Sequence, residues 1–98
     1  LARHPRSRDP LYARASNLHF LERWDAALLD YDALIEIGPE EAEHWASRGD
    51  TAREAGLFEQ CTSDYSKAMS LDDEDATHRI GRDECLRLQE ERDAAPPK

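Results

Sequence analysis

Apolar residues return along this chain every three or four positions, the spacing of one helical face. No stretch alternates apolar and polar long enough to make a strand. Leu11, Ala15, Leu18 and Leu21 form a first stripe, opened by Asp9-Pro10, a capping acid followed by a proline suited to a first turn. Glu22-Arg23-Trp24 makes a corner. A second stripe, Ala27, Leu28, Tyr31, Leu34 and Ile35, starts from Asp25 as its cap and stops at Gly38-Pro39, with the glycine as C-cap. The plan then recurs: a helix over about 40–55 ending at Gly56, another over about 58–71, and a fifth over about 74–92. The pattern predicts an all-α chain of about five helices.

Displacing the sequence by 34 positions superposes it on itself without a gap. Leu11 falls on Trp45, Arg14 on Arg48, Ala15 on Gly49 and Ala27 on Cys61, while Asp30-Tyr31 falls on Asp64-Tyr65. A second displacement carries Arg48 to Arg82. In the other direction Pro39 leads to Pro5 and Ile35 to Leu1, so Leu1 to Pro5 reads as the tail of an earlier copy and the chain as part of a longer array.

In spacing and residue types the copies resemble the tetratricopeptide repeat, a 34-residue helix–turn–helix unit. The second copy carries Trp45, Gly49, Cys61, Tyr65 and Ala68; the first carries Leu11, Ala15, Leu18, Ala27, Tyr31 and the closing Pro39. The resemblance covers nearly the whole chain. It implies helix–turn–helix repeats stacked as a short right-handed α-solenoid. Residues 1–8 would be the tail of a preceding repeat, 9–41 and 42–75 two units, 76–93 a capping helix and 94–98 a disordered tail. Gly49 or Ala15 should face Cys61 or Ala27, because only small side chains let two helices touch closely, with Tyr31 and Tyr65 filling the wedge towards the next helix. Three departures stand out: Leu34 where the family prefers alanine, Asp73 in place of the proline, and Arg14 and Arg48 in a slot usually apolar.

Those arginines change the picture most. Arg14, Arg48 and Arg82 share a period with Asp30 and Asp64, which predicts structural ion pairs in which the arginine stem covers apolar surface. The pairs can form within a unit (Arg14–Asp30, Arg48–Asp64) or between units (Arg48–Asp30, Arg82–Asp64). The second arrangement is preferred because it gives Arg82 a partner.

Composition narrows the function. The chain has 98 residues, 22 acidic against 13 basic, and a net charge of −9. That length suits one domain, the acid excess argues against a nucleic-acid backbone as partner, and no apolar run reaches the ~20 residues that span a bilayer. Arg3, Arg6 and Arg8 read as a solvated basic connector. Two cysteines, Cys61 and Cys85, are too few for a disulfide-stapled miniprotein and fit a reducing, cytoplasmic setting. Cys61 reads as a buried, inert thiol and Cys85 as partly covered. There is no Gly-rich phosphate loop, HExxH, GxSxG or CxxC, so the sequence supports neither catalysis nor a cofactor. No metal site is expected either: His44 and His78 come one per unit, and Asp72 to Asp75 read as the start of the fifth helix, without the glycine and glutamate of a calcium loop. Arg48-Gly49-Asp50 lies mid-helix, where an adhesion tripeptide would not work.

In proteins of the family this chain resembles, the first helices of successive units line a concave groove that holds a peptide or a helix. The resemblance places Tyr12, Ser16, His19 and Phe20 there from the first unit, Glu43, Ser47, Asp50, Arg53 and Glu54 from the second, and Glu84 and Arg87 from the fifth helix. This groove would be mildly acidic with an aromatic end. The expected partner is a protein or peptide, neutral to basic, with an apolar anchor near Tyr12 and Phe20. The cationic clamp some family members use on acidic chaperone tails is absent. The alternatives are a purely structural stretch of a longer solenoid, or a homodimer through apolar surface around Leu1, Leu11 and Leu18.

Overall fold

The computed structural model describes residues 10–95, which form five α-helices and no strand. In chain order they are α1 (Pro10–Phe20), α2 (Trp24–Ile37), α3 (Ala42–Glu54), α4 (Phe58–Leu71) and α5 (Ala76–Ala94). Each helix packs on the next, and α3 also touches α5, so the protein is a repeat-like, all-α stack of consecutive helices. Leu1 to Pro5, the three arginines of the connector and the Asp9 cap lie outside the described residues. Among the described residues no helix is long and apolar enough to cross a membrane.

The corners repeat as the sequence does. After α1 the chain turns through Glu22 with φ 60°, and after α3 it turns through Gly56, 34 positions on, with φ 82°. Both corners close with the same backbone bond, Arg23 N–H to Leu18 O and Leu57 N–H to Ala52 O, each 2.8 Å. This is the left-handed helix stop that satisfies orphan carbonyls, and it favours glycine because a Cβ crowds the following carbonyl. The ends of α2 and α4 match as well: Gly38 N–H bonds Leu34 O and Asp72 N–H bonds Ala68 O, both 2.9 Å. At these two ends φ is −135° and −149°, so the stop at Gly38 is not the left-handed glycine cap that the sequence suggests. Asp25 is not a cap either; Arg23 holds that position and Asp25 sits in the first turn of α2, where its charge still meets the positive end of the macrodipole. Of the later helices, α5 has a side-chain cap: Asp75 Oδ1 accepts from Thr77 N–H at 2.9 Å.

Small side chains set the packing. Ala15, Ala27, Tyr31 and Leu34 form one buried cluster, with Leu11, Tyr12 and Leu18 half-buried against it. Ala52, Cys61, Tyr65 and Cys85 form the second, flanked by Leu28 and Ala46. Leu21 falls off the stripe, exposed at the corner, whereas Leu34 and Ala68 are fully buried. Gly49 does not chiefly face Cys61. A Cβ there would sit 3.0 Å from the Tyr65 ring and 3.1 Å from Asp64 Cβ, and one at Gly81 would sit 2.5 Å from the opposite side of the same ring. Tyr65 therefore lies between glycines of α3 and α5, and Gly81 belongs to the core and not to an open groove. Trp45 is half-buried; its Nε1–H donates to Pro39 O at 2.8 Å, and the Arg48 guanidinium lies 5.1 Å from its ring centroid.

The cysteines overturn a sequence expectation. Cys61 on α4 and Cys85 on α5 are joined as a disulfide, their Cα atoms 5.9 Å apart, and both are fully buried. Neither is a free thiol, so the cysteine count no longer argues for a reducing compartment. A separation of 24 residues follows no local spacing rule; only the packing of α5 on α4 brings the two together.

On the chain-entropy account, closing a loop of 24 residues restricts the unfolded chain by about 3 kcal/mol. Urea unfolding with and without reductant should show a loss of that size, alongside the appearance of two titratable thiols; an unchanged midpoint would show that the cross-link does not stabilise the fold. At the corners, Glu22→Gly should raise stability by up to about 1 kcal/mol and Gly56→Ala should lower it by about 1 kcal/mol. No atom lies within 4 Å of a Cβ built at Gly56, so thermal melting of that variant reads backbone strain alone.

Candidate functional site

The repeated arginines resolve in favour of pairing within a unit. Arg14 Nε and Nη2 donate to Asp30 Oδ2 and Oδ1, both at 2.8 Å. Arg48 Nε and Nη2 donate to Asp64 Oδ2 and Oδ1 at 3.0 and 2.8 Å, and its Nη1 reaches Asp32 of α2 at 2.8 Å. The between-unit pairs Arg48–Asp30 and Arg82–Asp64 do not form; Arg82 bonds its neighbour Asp83 at 3.1 Å. The reason is directional. The aspartate partner lies 16 residues on, one helix further along, and beyond α5 no described helix could supply one for Arg82.

The two staples differ in depth. Arg14 is largely open to water, while the Arg48 side chain is 19% exposed above an Asp64 that is almost wholly buried. The Arg14 guanidinium holds the Asp30 carboxyl below the usual carboxylate range. Burial pushes the Asp64 carboxyl up, against the pull of Arg48.

The first and third helices meet along a polar seam. Tyr12 O–H donates to Glu43 Oε2 at 2.9 Å and lies 3.4 Å from Ser47 Oγ, with the Tyr31 ring edge-on at 6.2 Å between centroids. Thr51 donates its hydroxyl proton to Ser47 O at 3.1 Å, so it accepts from His19 Nδ1–H at 2.9 Å. His19 Nε2 stands 4.0 Å from Asp50 Oδ2, and Arg53 bonds Asp50 and reaches Glu54 at 3.4 Å. Ser16 on α1 is half-buried. Phe20 is 83% exposed and touches only the edge of His19 among ring contacts of the described residues. On α5, Glu84 and Arg87 bond each other at 2.5 Å, and Arg87 bonds Glu91 at 2.7 Å. They form a ladder along their own helix.

Beside this seam lies an open cavity of about 710 Å³, framed by the start of α3, the end of α4 and the start of α5. Among the described residues six carboxylates line it, from Glu40, Glu41, Glu43, Asp50, Asp72 and Asp75, and no Lys or Arg does. Ala46, Leu71 and Tyr65 supply its apolar surface; Ser47, Thr77 and His78 supply further polar groups. Burial pushes the Tyr65 hydroxyl up to about 12, so it stays neutral beside these acids. Of the groove residues expected from sequence, Glu43, Ser47 and Asp50 line the cavity. Tyr12 and Phe20 do not, which separates the expected aromatic end from the acidic hollow. Sequence reasoning missed Glu40, Glu41, Asp72, Asp75 and His78, having taken these acids as helix starts. Their signal was the repeat itself: Glu41 and Asp75 precede α3 and α5 in the same register, so both acidic corners open on one side. No protein-family model matches the chain. Fold and cavity together define a broad class, an all-α stack of consecutive helices with an acidic cavity framed by α3, α4 and α5.

Removing one partner of a buried ion pair strands the other. Arg48→Ala should therefore cost about 3 kcal/mol in urea unfolding, and Arg14→Ala distinctly less because water screens that pair. Equal losses would show that burial does not separate the two staples.

Proposed function

We propose that this chain is a tetratricopeptide-like scaffold whose cavity between α3, α4 and α5 holds a basic segment of a partner protein. The observation that carries the reading is the lining: six carboxylates and, among the described residues, no lysine or arginine, in a hollow of about 710 Å³, within the ordinary size of a ligand site. Within the protein Glu43 accepts from Tyr12 O–H, Asp50 pairs with Arg53, and Asp75 accepts from Thr77 N–H. Acids brought this close repel one another, and an incoming lysine or arginine relieves that repulsion as it desolvates. Ala46, Leu71 and Tyr65 offer the aliphatic stem of such a side chain a surface to cover. The stacking of consecutive helices and the matching corner bonds 34 residues apart support the repeat reading. The right-handed sense of the stack belongs to the same proposal, as does a role in binding without catalysis.

The test is fluorescence polarisation with a labelled Lys/Arg-rich peptide and an acidic peptide of equal length. The basic peptide should bind and weaken as salt rises, and Glu40→Lys combined with Glu43→Lys should reduce affinity at least about tenfold. Equal binding of both peptides, or indifference to the charge reversal in a variant that melts normally, would sink the reading.

A further inference from the structure

We propose that Asp72, Asp75 and His78 form a site for a divalent first-row transition-metal ion at the rim of the cavity, independently of any peptide held there. The three follow one another at intervals of three residues across the end of α4 and the first turn of α5. Each offers one ligand atom, and these atoms lie within 4.8 Å of one another. Asp75 is held by its capping bond, Oδ1 to Thr77 N–H, which leaves Oδ2 facing His78 Nε2 at 3.7 Å, beyond hydrogen-bond length.

The second, independent pointer is the imidazole. His78 is 6% exposed, and its Nδ1 is buried with no hydrogen-bond partner. No hydrogen bond fixes either ring nitrogen, and Nε2, 3.7 Å from Asp75 Oδ2, is the one on the carboxylate side and the one that would coordinate, with Nδ1 staying unpartnered. Ligand atoms on a first-row ion lie about 2.0–2.2 Å from it and so about 3 Å from each other. The present spread closes by rotating the exposed Asp72 and Asp75 side chains while His78 stays in place. An imidazole with two carboxylates suits zinc, cobalt or manganese better than calcium or magnesium, which take oxygen ligands.

The chain supplies its own comparison. Thirty-four positions earlier Gly38, Glu41 and His44 stand in the same places. His44 is likewise buried with an unpartnered Nδ1, but Gly38 offers no ligand. The unpaired imidazole thus belongs to the register, and Asp72 turns the later copy into a three-ligand set.

Isothermal titration of the disulfide-bonded protein with zinc chloride tests this, the intact cross-link keeping the thiols out of competition. One equivalent should bind saturably, and Asp72→Asn and His78→Asn should each weaken it at least about tenfold. His44→Asn should leave it unchanged, and calcium should not compete. His78→Asn alters a buried position, but Asp72 is exposed, so Asp72→Asn reads the site even if the other variant unfolds. Absence of saturable zinc binding, or binding untouched in folded Asp72→Asn, overturns the proposal.

Discussion

The width of the gap between α3 and α5 depends on the ring of Tyr65. It enters from α4 and lies against glycine on both sides, Gly49 and Gly81, where any Cβ would press into it. Two helices separated by one aromatic ring stand close enough to share a buried cluster with Cys61 and Cys85, yet far enough apart that their first turns diverge into a hollow. Tyr65 also lines that hollow, so the contact that closes the core forms part of the candidate site. A bulkier residue at either glycine would displace a helix instead of filling a void, because close-packed interiors have little room to yield.

Charge follows the same architecture at a second level. The fork of Arg48 reaches Asp64 beneath it and Asp32 on the preceding helix. One planar guanidinium thereby ties three successive helices, α2, α3 and α4, with a geometry that specifies their register. Other acids gather at the helix starts. Those preceding α3 and α5 meet the positive ends of two macrodipoles, which makes tolerable a density of carboxylates that would otherwise repel strongly. The cavity is acidic because helix starts favour acids and the stack puts two helix starts side by side.

This division sets what could be read in advance. The five helices were legible because apolar stripes, the Gly56 corner and the acids at helix starts are local signals, and the observed bounds differ from those read in the sequence by about two residues. Glu22 shows the limit of that local code: it takes the left-handed corner that Gly56 takes 34 positions later, held there by tertiary context against its own preference. The ion pairs were half legible. Periodicity named Arg14, Arg48, Asp30 and Asp64, but whether an arginine reaches forward or back depends on how successive helices lie, and Arg82 was left with Asp83.

The sequence by itself determined that the chain is helical, that its plan recurs every 34 residues, and which small residues permit close contact. These follow from backbone propensity and side-chain volume, which act over a few positions. The tertiary structure alone decided that Cys61 meets Cys85, that Tyr65 is held between two glycines, and that acids from two separate corners face one cavity. Each joins residues on different helices. Such contacts depend on the angles at which helices cross, which side-chain packing sets only when all the helices are in place.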